Sequence, residues 1–297
     1  MNNEVMPLSV FGGGGCAGCT GISLDIIRGG LIVEASVPLP SSAGVPIEVS
    51  YNYNSNVNRD GPFGKGRAGC GTPGMKLTSL DNYGQIYITQ GDGSYRTFTR
   101  RTSSAPLSYF EPQAPNSESL EWNVIDAPTK WVHQMPDNSY YIYNGSGAAP
   151  GEKPAVPYYA YDGRGNSAYF AYDGYGRMTQ VLDTFNRATY FTYDGVSRRI
   201  ASVQDCRDAT TYFAYTDGCL TAVTGPEQCT TYYEHDTYGR LIRLTDPEGY
   251  FAYFRYDQYG GVRVQSVECD GATQYFSYDD GYTGTDWKSL TDSFRRH

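Results

Sequence analysis

In the second half of the chain, aromatic and polar positions alternate in short runs that return at a fixed interval. Tyr169-Phe170-Ala171-Tyr172-Asp173, Tyr190-Phe191-Thr192-Tyr193-Asp194 and Tyr212-Phe213-Ala214-Tyr215 share one order of residue types. The order continues in Tyr232-Tyr233-Glu234-His235-Asp236, Tyr253-Phe254-Arg255-Tyr256-Asp257 and Tyr275-Phe276-Ser277-Tyr278-Asp279. The anchor position falls at 172, 193, 215, 235, 256 and 278, so the steps are 21, 22, 20, 21 and 22 residues. A partial earlier copy stands at Tyr158-Tyr159-Ala160-Tyr161-Asp162. Type, order and period agree, which marks internal repeats.

Each unit predicts two strands and two turns. The aromatic run favours a pleated strand. Alternation places the first and third positions of Tyr-Phe-x-Tyr on one face and the second and fourth on the other. In Asp173-Gly174-Tyr175-Gly176 the carboxylate can fold back onto backbone N–H groups and glycine can take positive φ. Gly176-Arg177 and Gly239-Arg240 close such turns, and Asp194, Asp257 and Asp279 open others. A second strand follows, as in Arg240-Leu241-Ile242-Arg243-Leu244, and then a turn such as Asp246-Pro247-Glu248-Gly249. One hairpin cannot bury its own surface, so the units must stack. The expected fold is all-β, with stacked antiparallel β-hairpin repeats forming a long curved sheet. The expected division is a Gly/Cys-rich arm (1–20), an N-terminal β region with degenerate repeats (21–150), the repeats (151–285) and a tail (286–297).

Composition narrows the function. Tyrosine supplies 29 of the 297 residues and glycine 35, while only 19% are charged. Net charge is −9, without the basic footprint of a nucleic-acid binder. No run approaches the ~20 apolar residues of a spanning helix. Residues 1–15 lack the basic and apolar regions of a standard secretory signal. Three histidines leave little for His catalysis or a multi-His metal site. His133 reads as a strand residue beside Trp131, His235 fills a tyrosine slot, and the repeat aspartates belong to turns. No Gly-x-Ser-x-Gly element has suitable partners. The expectation is a non-enzyme with no catalytic residue, cofactor or metal.

Seven cysteines leave at least one thiol outside any set of intrachain pairs. Cys206, Cys229 and Cys269 follow their anchors by 13, 14 and 13 residues, one far-turn position in three units. A Cys206–Cys229 disulfide, a link elsewhere and free thiols all stay open. Cys16-Ala17-Gly18-Cys19 follows four glycines and lacks the further ligands of a zinc site. A flexible arm with a local or intermolecular disulfide is the preferred reading.

The unit Tyr-Asp-x-x-Gly-Arg-Leu at this period resembles the YD repeat of the Rhs family. The segment from Gly44-Val45-Pro46-Ile47 through Tyr53-Asn54-Ser55-Asn56 to Gly61-Pro62-Phe63-Gly64-Lys65-Gly66 resembles the opening of such repeat shells. Asp92-Gly93-Ser94-Tyr95-Arg96-Thr97-Phe98 and Asp137-Asn138-Ser139-Tyr140-Tyr141-Ile142-Tyr143 resemble looser early repeats. The chain departs from the pattern at Arg67, where an aromatic is common, and at Cys219 and Gly261, where arginine is expected. The resemblance implies a β-shell, in many members enclosing a C-terminal toxin, in others mediating surface contact or carbohydrate binding. The chain shows no core or toxin motif. The sequence reading is therefore a structural subunit that pairs head to tail with copies of itself into an extracellular or surface filament. A toxin-shell segment and a carbohydrate-binding surface module are the alternatives.

Overall fold

The computed structural model describes residues 5–9, 19–25, 29–40, 44–57, 60–67, 76–79, 85–89, 95–100, 109–112, 118–123, 130–144, 155–195, 198–257, 263–269, 272–278 and 287–293. Their regular structure is entirely β, which bears out the fold class. Twenty strands, from Lys76–Ser79 to Trp287–Ser293, form one long antiparallel sheet in chain order. No helix among the described residues is long and apolar enough to cross a membrane.

The repeat predicts each hairpin well. Ala188–Tyr193 and Ile200–Gln204 pair antiparallel, as do Thr230–His235 and Leu241–Thr245. In the aromatic strand Thr189 and Phe191 are buried, while Tyr190 is 46% exposed. Tyr169, Tyr212, Tyr232 and Tyr275 likewise face outward, and Phe170, Phe213, Tyr233, Phe254 and Phe276 face inward. The split between first and second aromatic positions is the one that alternation dictates.

One feature escapes simple alternation. In each unit the register slips just before the anchor, between Ala171 and Tyr172, Thr192 and Tyr193, Ala214 and Tyr215, Glu234 and His235, Arg255 and Tyr256, and Ser277 and Tyr278. A bulge gives the return strand an extra residue. Apolar residues three apart can then both face the core: Met178 and Val181, Ile200 and Val203, Leu220 and Val223, Leu241 and Leu244, Val264 and Val267 are all buried.

The N-terminal region fills the inner face. Val5–Ser9, Cys19–Asp25, Leu31–Ala35 and Tyr53–Asn54 form a four-stranded sheet, and Asp60–Gly61 pairs with Gly64–Lys65 in a small hairpin. Leu31, Val33, Val49, Tyr51 and Phe63 share one apolar core with Phe191, Phe213, Val223 and Leu244 of the repeats. Backbone bonds join the two parts: Ile200 N–H donates to Pro62 O (2.8 Å), Lys65 N–H to Gly218 O (2.9 Å) and Val264 N–H to Gly29 O (2.8 Å). A second core gathers Ile88, Phe98, Leu120, Trp131 and Tyr143.

Candidate functional site

The repeat motif is a set of interlocking contacts. In the turn after Tyr172, Asp173 Oδ1 accepts from the backbone N–H groups of Tyr175 and Arg177, both at 2.9 Å, and Oδ2 accepts from Arg177 Nε at 2.7 Å. Asp236 holds Tyr238, Arg240 and the Arg240 guanidinium in the same way. Asp194 and Asp257 also open turns, their N–H groups donating to Arg199 O and Arg263 O. Gly176 and Gly239 sit at φ 76° and 82°. Asp279 and the Tyr278 side chain lie outside the described residues.

The clamped arginine then reaches the next unit. Arg177 lies 4.7 Å from the centroid of Tyr193, Arg240 4.7 Å from that of Tyr256, and Arg199 5.9 Å from that of Tyr215. Each of those tyrosines donates its hydroxyl hydrogen to a carbonyl 15 residues back. Tyr193 bonds Met178 O, Tyr215 bonds Ile200 O and Tyr256 bonds Leu241 O, each at 2.8 Å, and Tyr172 bonds Pro157 O. Carboxylate, guanidinium, ring and carbonyl form one rung between consecutive hairpins. Cation–π contact and charge-assisted hydrogen bonds act in series.

The rung between the third and fourth units is broken. Cys219 stands where Arg177, Arg199 and Arg240 stand in other units, and His235 stands where the anchor tyrosine should be. The third turn is also shorter: Asp217 and Gly218, at φ 51° and 84°, join Thr216 directly to Cys219. The 60–67 hairpin docks into that space. Gly64 packs so closely on the Gly218 carbonyl that a Cβ there would lie 2.7 Å from the oxygen. Leu241 N–H donates to Tyr53 Oη at 3.0 Å. Asp60 pairs with Arg199.

Arg67 occupies the centre of this dock. It is 1% exposed. Its guanidinium lies 4.4 Å from the Tyr233 centroid and within 6 Å of Tyr51 and Tyr53. Nη1 donates to Tyr51 O, while Nε and Nη2 have no hydrogen-bond partner. The His235 ring meets Tyr53 edge-on at 6.3 Å, and neither ring nitrogen has a hydrogen-bond partner. Burial, reinforced by the nearby Arg67 charge and opposed by Asp236, lowers the His235 pKa to about 4. Burial pushes the Cys219 thiol up, against the pull of Lys65, Arg199 and Arg67. A groove of about 780 Å³ opens beside the broken rung, with Asp217, Cys219, Tyr232, Glu234, His235 and Arg243 in its lining.

A second buried polar group lies in the smaller core. Glu118 accepts an ion pair from Arg96 and faces His133 Nε2 at 3.3 Å. Burial first, and Arg96 second, lower the His133 pKa to about 4. The sequence reading of His133 as an ordinary strand residue understates this pairing.

The cysteine expectations need correction. Cys206 carries a free, exposed thiol, so the Cys206–Cys229 bridge does not form. Successive far turns are separated by a whole hairpin, two strand spacings of ~4.8 Å each, beyond the reach of a disulfide. Cys229 is disulfide-bonded, but not to Cys206, Cys219 or Cys269. Cys16 and the Cys19 side chain lie outside the described residues.

Sequence reasoning noticed Arg67, Cys219 and His235 separately, the first two as departures from a pattern and the third as an aromatic substitute. It missed that they meet. It also missed the far-turn aspartates: Asp183 clamps Arg187 as Asp173 clamps Arg177, and Asp205 holds the guanidinium of Arg207, two residues on. The signal was present, since Asp183-x-x-x-Arg187 repeats the five-residue spacing of the first turn.

No protein-family model and no curated protein matches the chain. Among solved structures, it is similar to the TcdB2-TccC3 complex at 12% identity, over 97% of this chain and 21% of that one, with a TM-score of 0.48. It is also similar to the Tc holotoxin pore of Photorhabdus luminescens at 13% identity, over 98% and 20% of the two chains, with a TM-score of 0.47. The N-terminal domain of the effector protein SpvB from Salmonella typhimurium strain LT2 is 13% identical over 88% of this chain and 98% of that one, with a TM-score of 0.35. The chain spans about a fifth of the length of the Tc chains it matches.

Proposed function

We propose that the chain is a non-catalytic section of a YD-repeat shell wall, of the kind that encloses a toxin, in a secreted or surface-borne protein. The observation that carries this reading is the rung. It couples hairpin to hairpin across the sheet and turns one face, rich in Phe and Val, inward while tyrosines face out. That is the economy of a wall, in which regular units bind their neighbours. It supports the shell more than the head-to-tail filament. Negative-stain microscopy of the protein from its native source tests the reading. Hollow particles with a thin wall are expected. Solid particles overturn it, and extended filaments would restore self-assembly of copies.

A second reading rests on the outer tyrosines. Tyr169, Tyr190, Tyr212 and Tyr232 are each about half exposed, one per hairpin, and each offers a flat apolar ring beside a hydroxyl. Such a row suits carbohydrate. Glycan-array binding that Tyr190→Ala and Tyr212→Ala abolish together is the expected result, and a blank array removes the reading.

A further inference from the structure

Arg67, Cys219 and His235, three of the departures from the repeat pattern, share one place, and the missing chemistry of the rung returns there from another part of the chain. A regular rung needs a cation over an aromatic ring. At the third unit the cation is lost to Cys219 and the tyrosine to His235. Arg67 supplies a cation to the same neighbourhood, over the Tyr233 ring. Lys65 comes with it, its chain passing within 3.7 Å of where a Cβ on Gly239 would stand, beside Cys219 Sγ at 3.4 Å. The short Asp217-Gly218 turn leaves the room, and the glycines of the 60–67 hairpin permit the approach. The socket therefore fits this hairpin and none of the regular rungs does, because their own arginines fill them.

We propose that the 60–67 hairpin is an acid-releasable latch, in which Arg67 stands in for the arginine missing at position 219 and protonation of His235 expels it.

His235 faces Arg67 and Tyr53 from the N-terminal region, and Asp236 follows it on its own strand. Asp217, Cys219, Glu234 and Arg243 share its groove, and Glu234 and Arg243 are paired with each other at 3.0 Å. Asp236 is engaged by Arg240 at 2.7 Å. No carboxylate in this set is aimed at the His235 ring, whose two nitrogens have no hydrogen-bond partner. An imidazolium formed there would confront a guanidinium that is itself 1% exposed. Two buried like charges are costly. A tyrosine, the residue of every other anchor position, would never create that conflict.

The sign follows from linkage. Released, His235 titrates near its ordinary value of 6.5; docked, near about 4. Between those values the released state binds the proton and the docked state does not, so docking weakens as pH falls through that window. A difference of that size corresponds to at most about two and a half orders of magnitude in the docking equilibrium, of which about two are reached at pH 4.5.

Three backbone N–H groups report on the latch because their acceptors lie across the dock: Ile200 to Pro62 O, Lys65 to Gly218 O and Leu241 to Tyr53 Oη. Hydrogen exchange of the whole chain is measured at pH 7 and pH 4.5, normalised to the intrinsic rate at each pH. The expected result is a loss of protection at Ile200, Lys65 and Leu241, 10- to 100-fold beyond that of Val203 and Val181 in the regular hairpins. His133 titrates in the same range but in the other core, so the local readout separates the two. His235→Phe should abolish the selective acid loss, and His235→Tyr gives the same test if the first variant folds poorly. Arg67→Met should lose protection at both pH values. No selective loss in the parent protein, or an undiminished loss in both His235 variants, overturns the proposal.

Discussion

At the scale of single residues, the repeat is a device for using one carboxylate three times. Asp183 is 4% exposed and accepts from two backbone N–H groups and from the Arg187 guanidinium. Burial alone would raise its pKa; the bonds from Arg187 and the turn outweigh burial and hold it below 3.8. Asp205 shows the same balance. A depressed carboxylate contributes stability above its unfolded value, lost as pH falls through its folded one. Asp183→Asn should therefore destabilise at pH 7 by about 1–3 kcal/mol. Parent and variant should converge below the ordinary carboxylate range. Urea denaturation at pH 7 and pH 3 checks both statements. The anchor hydroxyls can be weighed in the same way. Tyr193→Phe keeps the ring under Arg177 and removes only the bond to Met178 O. A loss of about 1 kcal/mol is expected, seen as a fall in melting temperature of about 2 °C for a chain of this size.

At the scale of elements, glycines separate the cost of a turn from the cost of a dock. Gly176 and Gly64 both have positive φ, 76° and 91°. A Cβ on Gly176 meets nothing within 4 Å, whereas one on Gly64 would lie 2.7 Å from the Gly218 carbonyl oxygen. Gly176→Ala should then cost about 1 kcal/mol of backbone strain. Gly64→Ala should cost more and should also raise hydrogen exchange at Ile200 and Lys65. Equal costs and unchanged exchange would show that the hairpin is not seated on that turn. These elements also show what the sequence could and could not reveal. The anchors Tyr172, Tyr193, Tyr215 and Tyr256 were legible because a strand side chain repeats every two residues and a hairpin every 20 to 22. The bulge before each anchor was not, because it leaves no mark in residue type; it shows only as the three-residue spacing of Ile200 and Val203. Arg67 was visible as a departure, but its partners Tyr233 and His235 lie more than 160 residues away, and pattern within a segment carries no information about such a meeting. Cys206 and Cys229 hold equal positions in successive repeats, and such positions are equivalent without being adjacent.

At the scale of the whole molecule, the sheet depends on a filler that the chain itself provides. The repeats turn Phe191, Phe213, Phe254, Val203, Val223 and Leu244 inward, and these residues share a core with Val33, Val49, Tyr51 and Phe63. The two contributions come from distant parts of the sequence: Leu241 and Tyr53, which bond directly, are 188 residues apart. Closing contacts of that span carries a large entropic cost, which the burial of the shared core must offset. The rungs cannot do so alone, since each is local and links only neighbouring hairpins. Deletion of residues 1–67 should therefore leave the hairpins able to form but their inner face exposed to water. The expected product binds the dye ANS strongly, keeps a β-type circular dichroism spectrum and associates at micromolar concentration through an apolar face far larger than a soluble monomer exposes. Adding back a peptide of residues 29–67 should reduce the dye signal, because the segment carries both the apolar filler and Arg67. Arg67→Met in that peptide should weaken the rescue without abolishing it, since the apolar contacts remain. A monomeric, dye-silent deletion variant would show instead that the repeats close over a core of their own.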